Sequence, residues 1–382
     1  MIPYGRQFIS DADIEAVVAT LRHTNLTQGP KVKAFEDAFA AYVGSKYAVV
    51  VANGTAALHL SCIALGVNEN TRVITTPITF VASANCVRFC GGQVFFADVD
   101  PNTALLDINK VRALLESKPK GYFHGIIPVD FAGYPIDLVA FRALADEFGC
   151  WILEDSCHSP GGSFVDENGQ NHRCGDGSLA DCAIFSFHPV KHIASGEGGM
   201  ITTSDEAIYK KILKHRSHGI VAQGNPDLIE NHGGWYMEMQ DLGFNYRLPD
   251  ILCALGLSQL ERAEQGLIRR KAIAKRYDEA FAETNVKTII APDNFSHAYH
   301  LYVIQVADRK GLYDFLRTKD IFAQVHYIPA HLMPYYQSLG NKKGDFPNAE
   351  NYYAHCLSIP LFPTLTDEEQ TFVIEQILEF VG

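Results

Sequence analysis

The chain has 382 residues, 32 Lys plus Arg against 44 Asp plus Glu, and a net charge of −12, which argues against a nucleic-acid clamp built on clustered basic residues. With 47% hydrophobic and 20% charged residues, a disordered tail and a fibrous repeat are excluded, and the length suggests two domains. No apolar run approaches the roughly 20 residues that span a bilayer. Met1-Ile2-Pro3-Tyr4-Gly5-Arg6 has no apolar signal-peptide core, so a cytoplasmic globular protein is expected.

The first predicted helix starts at Ser10, with Asp13 as its capping partner, and carries Ile14, Val17, Val18 and Leu21 at i, i+3, i+4, i+7. A second amphipathic helix spans 31–43, after the turn Gln28-Gly29-Pro30. Strands and helices then alternate: strands at 47–52, 72–75, 93–97, 122–129, 151–153 and 183–187, with helices at 56–65, 80–89 and 138–148. Short apolar runs alternating with helices predict parallel strands covered on both faces. Ligands in such sheets gather beyond the carboxyl ends of the strands, which directs attention to Asn53-Gly54, Asp98, Asp130, Glu154-Asp155 and His188. The stretch 217–249, rich in Gly, Asn, His and aromatics, is too long for a plain connection and reads as functional or as an interface. A helix over 251–283, a strand at 301–306, a helix at 311–319, a strand at 322–327 and a helix at 367–381 predict a smaller α+β unit. The expected division is therefore a large domain over 1–250, with a helical segment at 1–45, and a small one over 251–382.

Nine cysteines, odd in number and scattered, predict buried thiols rather than disulfides. His215-x-x-His218 lacks the further ligands that a structural zinc site shows, so no metal is expected.

Three segments carry chemistry. Asn53-Gly54-Thr55-Ala56-Ala57 follows a strand and opens a helix, offering backbone N–H groups and a hydroxyl at the positive end of the helix dipole. An ordinary helix cap uses the same residue types. Neither common nucleotide loop, G-x-x-x-x-G-K-[ST] or G-x-G-x-x-G, is present. Ile152-Leu153-Glu154-Asp155 ends a buried strand in two carboxylates, one of which should point into a site. Phe185-Ser186-Phe187-His188-Pro189-Val190-Lys191, followed by Gly196-Glu197-Gly198-Gly199, places a lysine past a buried strand, where desolvation would make its amine nucleophilic. A phosphate cradle, a strand-end aspartate and a strand-end lysine together suit pyridoxal 5′-phosphate.

The order Asn53-Gly-Thr-Ala-Ala, Asp155-x-x-His158, Ser186-x-x-x-x-Lys191 and Gly-Glu-Gly-Gly resembles the DegT-type nucleotide-sugar aminotransferases, which are fold type I pyridoxal enzymes. The resemblance runs from Tyr4-Gly5-Arg6-Gln7 through Leu26-Thr27-Gln28-Gly29-Pro30 to Gly243-Phe244-Asn245-Tyr246-Arg247. Tyr4–Gln7, His188–His192 and His326-Tyr327-Ile328-Pro329-Ala330-His331 are similar to the branch that aminates C4 of a UDP-4-keto-6-deoxy-N-acetylhexosamine of the altrosamine type in pseudaminic acid biosynthesis. The resemblance implies Lys191 as the Schiff-base lysine and proton shuttle, and Asp155 as the partner of the pyridine nitrogen. It further implies His158 near the ring oxygen, and Thr55, Ala56 and Ser186 at the phosphate. Phe80 and Cys157 would lie on the two ring faces, and Asn245 would come from a neighbouring subunit of a homodimer. Tyr4, Tyr327 and His331 would touch the nucleotide-sugar. L-glutamate is the implied donor, with Arg6, Arg88 and Arg247 as candidates for its carboxylate. The family's frequent Thr-Thr before Gly-Glu-Gly-Gly is Ala194-Ser195 here, so any hydroxyl role would fall to Ser195. Lysine at 191 disfavours a 3-dehydratase of the same fold, which carries histidine there. A 4-aminotransferase for another nucleotide-linked sugar and a non-catalytic cofactor sensor stay open.

Overall fold

In the computed structural model, which describes residues 1–22, 25–222, 224–230 and 232–382, the chain opens on a short strand, β1 (Ile2–Pro3), and two helices, α1 (Asp11–Leu21) and α2 (Pro30–Val43). The α1 capping box forms as expected, with Ser10 and Asp13 bonding each other's backbone N–H. Its apolar stripe, however, faces outward: Ile14 and Leu21 are more than half exposed, while Asp13 is fully buried and bonded to Ser258, Gln259 and Arg262. Pro30 opens α2 and Gly44 closes it at φ 88°, a left-handed cap that favours glycine.

The central unit is built from β2 (Tyr47–Val51), α3 (Gly54–Ala64), β3 (Arg72–Thr75), α4 (Ala82–Phe89), β4 (Gln93–Phe96), α5 (Ile108–Glu116), β5 (Gly125–Ile127), α6 (Leu138–Phe148) and β6 (Trp151–Asp155). A small hairpin follows, β7 (Ser163–Val165) with β8 (Asn171–Arg173), then β9 (Cys182–Ser186), β10 (Gly199–Thr203) and α7 (Glu206–Arg216). Seven strands form one sheet in the order β2-β10-β9-β6-β5-β3-β4. All neighbours pair in parallel except β10, which runs antiparallel between β2 and β9. The strand reading stopped short of β10, because its glycine start resembles the preceding turn. Alternate residues serve opposite faces: Val49, Val51 and Leu153 pack with α3, α4 and α7, whereas Val50, Phe185 and Met200 pack with α2 and Ile152 with α5 and α6.

The stretch expected to be irregular holds a hairpin, β11 (Ile220–Ala222) with β12 (Met237–Met239). The single helix expected over 251–283 is two, α8 (Asp250–Leu260) and α9 (Ala263–Phe281). The break falls at Arg262, whose backbone leaves helical values and whose guanidinium reaches Asp13 and the Phe8 carbonyl. The remaining elements are β13 (Lys287–Thr288), β14 (Phe295–Ser296), β15 (Tyr302–Gln305), α10 (Arg309–Thr318), β16 (Ile321–Phe322), α11 (Pro334–Ser338), α12 (Pro347–His355), β17 (Cys356–Ile359) and α13 (Asp367–Val381). β13, β15 and β17 make an antiparallel sheet, whose core with α9, α10 and α13 also takes in Ile2. Through that residue and the β1–β16 pairing, the N-terminal strand is held so that Tyr4 and Arg6 lie beside the Lys191 turn. Among the described residues no helix is long and apolar enough to cross a membrane.

Candidate active site

At the carboxyl ends of β6 and β9 the chain surrounds a cleft of about 470 Å³. Its floor comes from the three segments singled out in the sequence. Asn53 caps α3, its Oδ1 accepting from the Ala56 N–H at 2.8 Å. Gly54 sits against Ser186, where an added Cβ would come within 3.1 Å of the serine Cβ, and a Cβ on Gly199 would meet the Asn53 carbonyl oxygen at 2.5 Å. Glycine at 199 is thus what lets β10 pass close behind the α3 N-terminus. Thr55 and Ser186 both line the cleft.

Asp155, the last residue of β6, is buried; its Oδ2 accepts from Ser83 Oγ at 2.6 Å and its Oδ1 from the Cys157 N–H at 3.2 Å. Both partners are donors and no cation lies within ion-pair distance among the described residues. Lys191 lies just past β9, and burial lowers its pKa against the opposing pull of Cys157 and Asp155. Cys157 has its thiol pushed well up by burial and by Asp155, which makes it a small filler rather than a thiolate nucleophile.

Burial and the nearby Lys191 hold His158 well below the usual imidazole range. Its Nδ1 faces the Ala132 N–H at 3.2 Å and its Nε2 faces Tyr327 Oη at 3.2 Å. A backbone N–H can only donate, so Nδ1 accepts, Nε2 carries the ring proton, and Tyr327 Oη receives it. The hydrogen of the Tyr327 hydroxyl, itself pushed above its ordinary pKa by burial, is then free to donate. Phe80, 60% exposed, Tyr4 and Tyr327 line the same cleft.

Three expectations, those for Ala56, His331 and Ser195, differ from what is seen. The Ala56 N–H is bonded to Asn53 and Ala56 does not line the cleft. Asn245 is exposed and bridged to Ser217, outside the cleft of its own chain. His331 is fully buried in the turn Ala330–Leu332, with Nε2 at 3.0 Å from Glu350 and its ring against Phe346; an aromatic-rich loop does not reveal which of its side chains turns inward. Ser195 is buried and its hydroxyl bonds the Glu197 carbonyl at 2.7 Å. Sequence reasoning missed Ser83, which orients Asp155, and His326, which lines the cleft with Nδ1 on Ser358 Oγ at 2.9 Å. A serine inside α4 gives no spacing signal; His326 had one only in its His-Tyr neighbour.

The residues fit pyridoxal phosphate. A partly buried amine, a buried carboxylate without a cation, and a helix N-terminus flanked by Thr55 and Ser186 complement its aldehyde, ring nitrogen and phosphate. When bound, the cofactor supplies an electron sink for the carbon bearing the nitrogen.

Glu154 points the other way, to the far side of β6. Its Oε2 accepts from the Gly175 N–H at 3.0 Å, its Oε1 has no other partner, and it meets the buried Asp130. Asp130 already accepts from Ser156, Ser159 and the Ile136 N–H, so Glu154 is the member that holds a proton, and burial raises it well above its ordinary 4.5. A raised folded pKa means that this contribution to stability is whole below that ordinary value and is lost as pH climbs towards the folded one, by at most about 1.4 kcal/mol per pH unit. Glu154→Gln keeps a donor facing Asp130 and cannot ionise. Its melting temperature relative to wild type should therefore rise as pH climbs above the ordinary 4.5; a constant difference would refute the shared proton.

Comparison with known proteins matches residues 7–378 to the DegT/DnrJ/EryC1/StrS aminotransferase family. The chain is 38% identical to the spore coat polysaccharide biosynthesis protein SpsC of Bacillus subtilis, over 100% of this chain and 97% of that protein. It is 35% identical to the UDP-4-amino-4,6-dideoxy-N-acetyl-beta-L-altrosamine transaminase of Campylobacter jejuni subsp. jejuni serotype O:2, over 100% of this chain and 98% of that protein. Among solved structures, Helicobacter pylori PseC, an aminotransferase of pseudaminic acid biosynthesis, superposes with a TM-score of 0.88 at 29% identity, covering 100% and 99% of the two chains. The putative sugar aminotransferase Spr1654 of Streptococcus pneumoniae in its PMP form gives a TM-score of 0.91 at 27% identity, with both chains fully covered, and it has also been solved in a PLP form.

Proposed function

Because the chain belongs to the DegT/DnrJ/EryC1/StrS aminotransferase family, as a nucleotide-sugar aminotransferase that uses pyridoxal 5′-phosphate, we propose that it moves an amino group from L-glutamate to C4 of a UDP-4-keto-6-deoxy-N-acetylhexosamine of the altrosamine type, in pseudaminic acid biosynthesis. The observation that carries the reading is the meeting of Lys191, Asp155 and the α3 N-terminus in one cleft. The full-length similarity to the Campylobacter transaminase supports the sugar.

In this reading Lys191 holds the cofactor and, as a free amine, takes the proton from the donor's α-carbon; it later returns one to the sugar carbon that receives the nitrogen. Asp155 faces the ring nitrogen and keeps it protonated. Thr55 and Ser186 hold the phosphate, and Ala56 joins them if the Asn53 cap yields its N–H. Phe80 covers one ring face and Cys157 the other, and His158 fixes Tyr327 beside Tyr4 where the sugar enters. Asn245 serves the site of a second copy in a homodimer, an arrangement supported by the outward apolar stripe of α1 and by the position of Asn245 outside its own cleft. The division at residue 250 gives a cofactor-binding unit and a smaller substrate-side unit, and the protein works in the cytoplasm, where nucleotide sugars are made.

A second reading has its own support: the identity to SpsC, a polysaccharide biosynthesis protein, is 38%, which favours a different nucleotide-linked 4-keto-6-deoxy sugar. Supplying UDP-, dTDP- and GDP-4-keto-6-deoxy sugars with glutamate, and following the aminated product by mass, decides between them. The altrosamine-type UDP sugar is expected to turn over fastest; preference for another abandons the first reading. Glutamate that fails to convert even one equivalent of bound cofactor to its amine form would leave only a sensor.

A further inference from the structure

A second cavity, of about 280 Å³, lies where the segment Arg6–Phe8 meets the junction of α8 and α9, and Arg6, Arg262, Arg269 and Arg270 line it. In a chain of net charge −12, this lining contains no aspartate or glutamate. Like charges gathered around one space repel one another unless anions stand among them. Two carboxylates do approach from outside the cavity, Asp13 on Arg262 and Asp367 on Arg269. Arg6 and Arg270 have no carboxylate partner among the described residues, so two of the four charges stand without a counter-charge.

The guanidinium groups also keep free donors. Among the described residues, Arg262 and Arg269 each bond only through Nη2, to the Phe8 carbonyl and Asp13 and to the Leu365 carbonyl and Asp367. Arg270 is 3% exposed and donates only from Nη1, to the carbonyls of Tyr299, His300 and Leu361. Burial with no opposing carboxylate draws its pKa down to about 10. A buried cation left uncompensated is destabilising, and an anion brought near it offsets that penalty. Arg6 rests its guanidinium on the Phe362 ring, 5.2 Å from the centroid, and has no hydrogen bond among the described residues. Arg6, Gln7 and Gln265 are exposed, so a ligand can enter at that end without disturbing Arg270.

We propose that this cavity is a phosphate-binding site separate from the α3 N-terminus, taking a phosphate group, free or carried on a nucleotide, on Arg6, Arg262 and Arg269 with the charge of Arg270 behind it. Charge and shape both favour phosphate. A phosphate dianion matches the two uncompensated charges, whereas a carboxylate supplies one. Its acceptor oxygens point in several directions and can meet guanidinium forks from different sides, whereas a carboxylate offers two oxygens in one plane. The site takes no part in the transfer of the amino group, since Asp155, Thr55 and Ser186 line the reaction cleft and not this cavity. Its links to that cleft are Lys191, which lines both spaces, and the short segment from Tyr4 to Arg6, which lines the cleft at one end and the cavity at the other.

The test titrates the cofactor-loaded enzyme, so that the cradle for the cofactor's own phosphate is filled, with inorganic phosphate in a calorimeter at an ionic strength held constant with chloride. Wild type should bind phosphate. Arg6→Gln should weaken binding about ten- to a hundredfold, the loss expected for one charge-assisted bond. Gly266→Asp sets a carboxylate at the cavity wall, where an added Cβ meets nothing nearer than Pro363 Cγ at 3.6 Å. It should abolish binding, while Gly266→Ala keeps it. Arg112→Gln, whose arginine pairs with Glu147 away from the cavity, should bind as wild type does. A titration with UDP then identifies the carrier: a binding event lost in Gly266→Asp assigns the site to a nucleotide's phosphate, and an unchanged UDP titration assigns it to free phosphate. No phosphate binding to wild type, unchanged phosphate affinity in Arg6→Gln or in Gly266→Asp, or acetate bound as tightly as phosphate overturns the assignment.

Discussion

Lys191→Ala is expected to lower turnover by at least 10²–10⁴-fold, the range associated with one positioned proton-transfer group, and to abolish covalent capture of the cofactor. The lysine sits past β9, where burial lowers its pKa and no side-chain partner among the described residues ties up its amine. An amine that is neutral more of the time is both a better nucleophile and a better base. Two readouts separate lost chemistry from lost fold. Borohydride reduction of the wild-type holoenzyme followed by digestion should tag the peptide containing Lys191, and the variant should give no tag. Small primary amines added to the variant should restore part of the rate, in proportion to the amine, because the vacated space and the neighbouring Asp155 and His158 persist. Wild-type turnover in the alanine variant, or a tag on a different peptide, would remove the premise of the mechanism.

Why so much of the site could be read from the sequence is a matter of strand ends. A parallel sheet delivers the residues after each apolar run to one edge, so Asn53, Asp155 and Lys191 share an edge wherever their helices pack. Even the ambiguity at Glu154-Asp155 followed from the two-residue strand repeat: two adjacent carboxylates must face opposite sides, and the structure assigns Asp155 to the cleft and Glu154 to Asp130. Contacts that depend on loops and on packing between distant segments could not be read this way. Ser83 reaches Asp155 because α4 lies across the end of β6, which does not follow from local periodicity. The burial of His331 depends on Glu350 being 19 residues away on α12, a pairing invisible in a loop whose composition is merely aromatic. The antiparallel β10 escaped notice for a different reason, its first residue being the glycine that the α3 N-terminus requires.

Asp155→Asn is the second change with a large expected effect, a fall of about 10²–10³-fold in the glutamate half-reaction, comparable to deleting one preorganised electrostatic stabiliser. The two hydrogen bonds to the carboxylate come from donors, Ser83 Oγ at 2.6 Å and the Cys157 N–H at 3.2 Å. An amide with its oxygen on the Cys157 N–H turns its nitrogen to Ser83, whose hydroxyl then accepts rather than donates; the reverse orientation sets its nitrogen against the Cys157 N–H, a mismatch worth about 1–3 kcal/mol. In neither orientation does it present negative charge to a ring nitrogen, so the variant should bind the cofactor more weakly and shift its absorbance spectrum even before glutamate is added. Ser83→Ala separates charge from orientation. It keeps the carboxylate and removes its shortest bond, so the rate should fall by about tenfold or less, in line with one neutral donor, with the cofactor spectrum close to wild type. Equal losses in the two variants would mean that Asp155 acts through packing rather than charge. An Asp155→Asn enzyme with an unaltered spectrum and half-reaction would show that the ring nitrogen faces a different group.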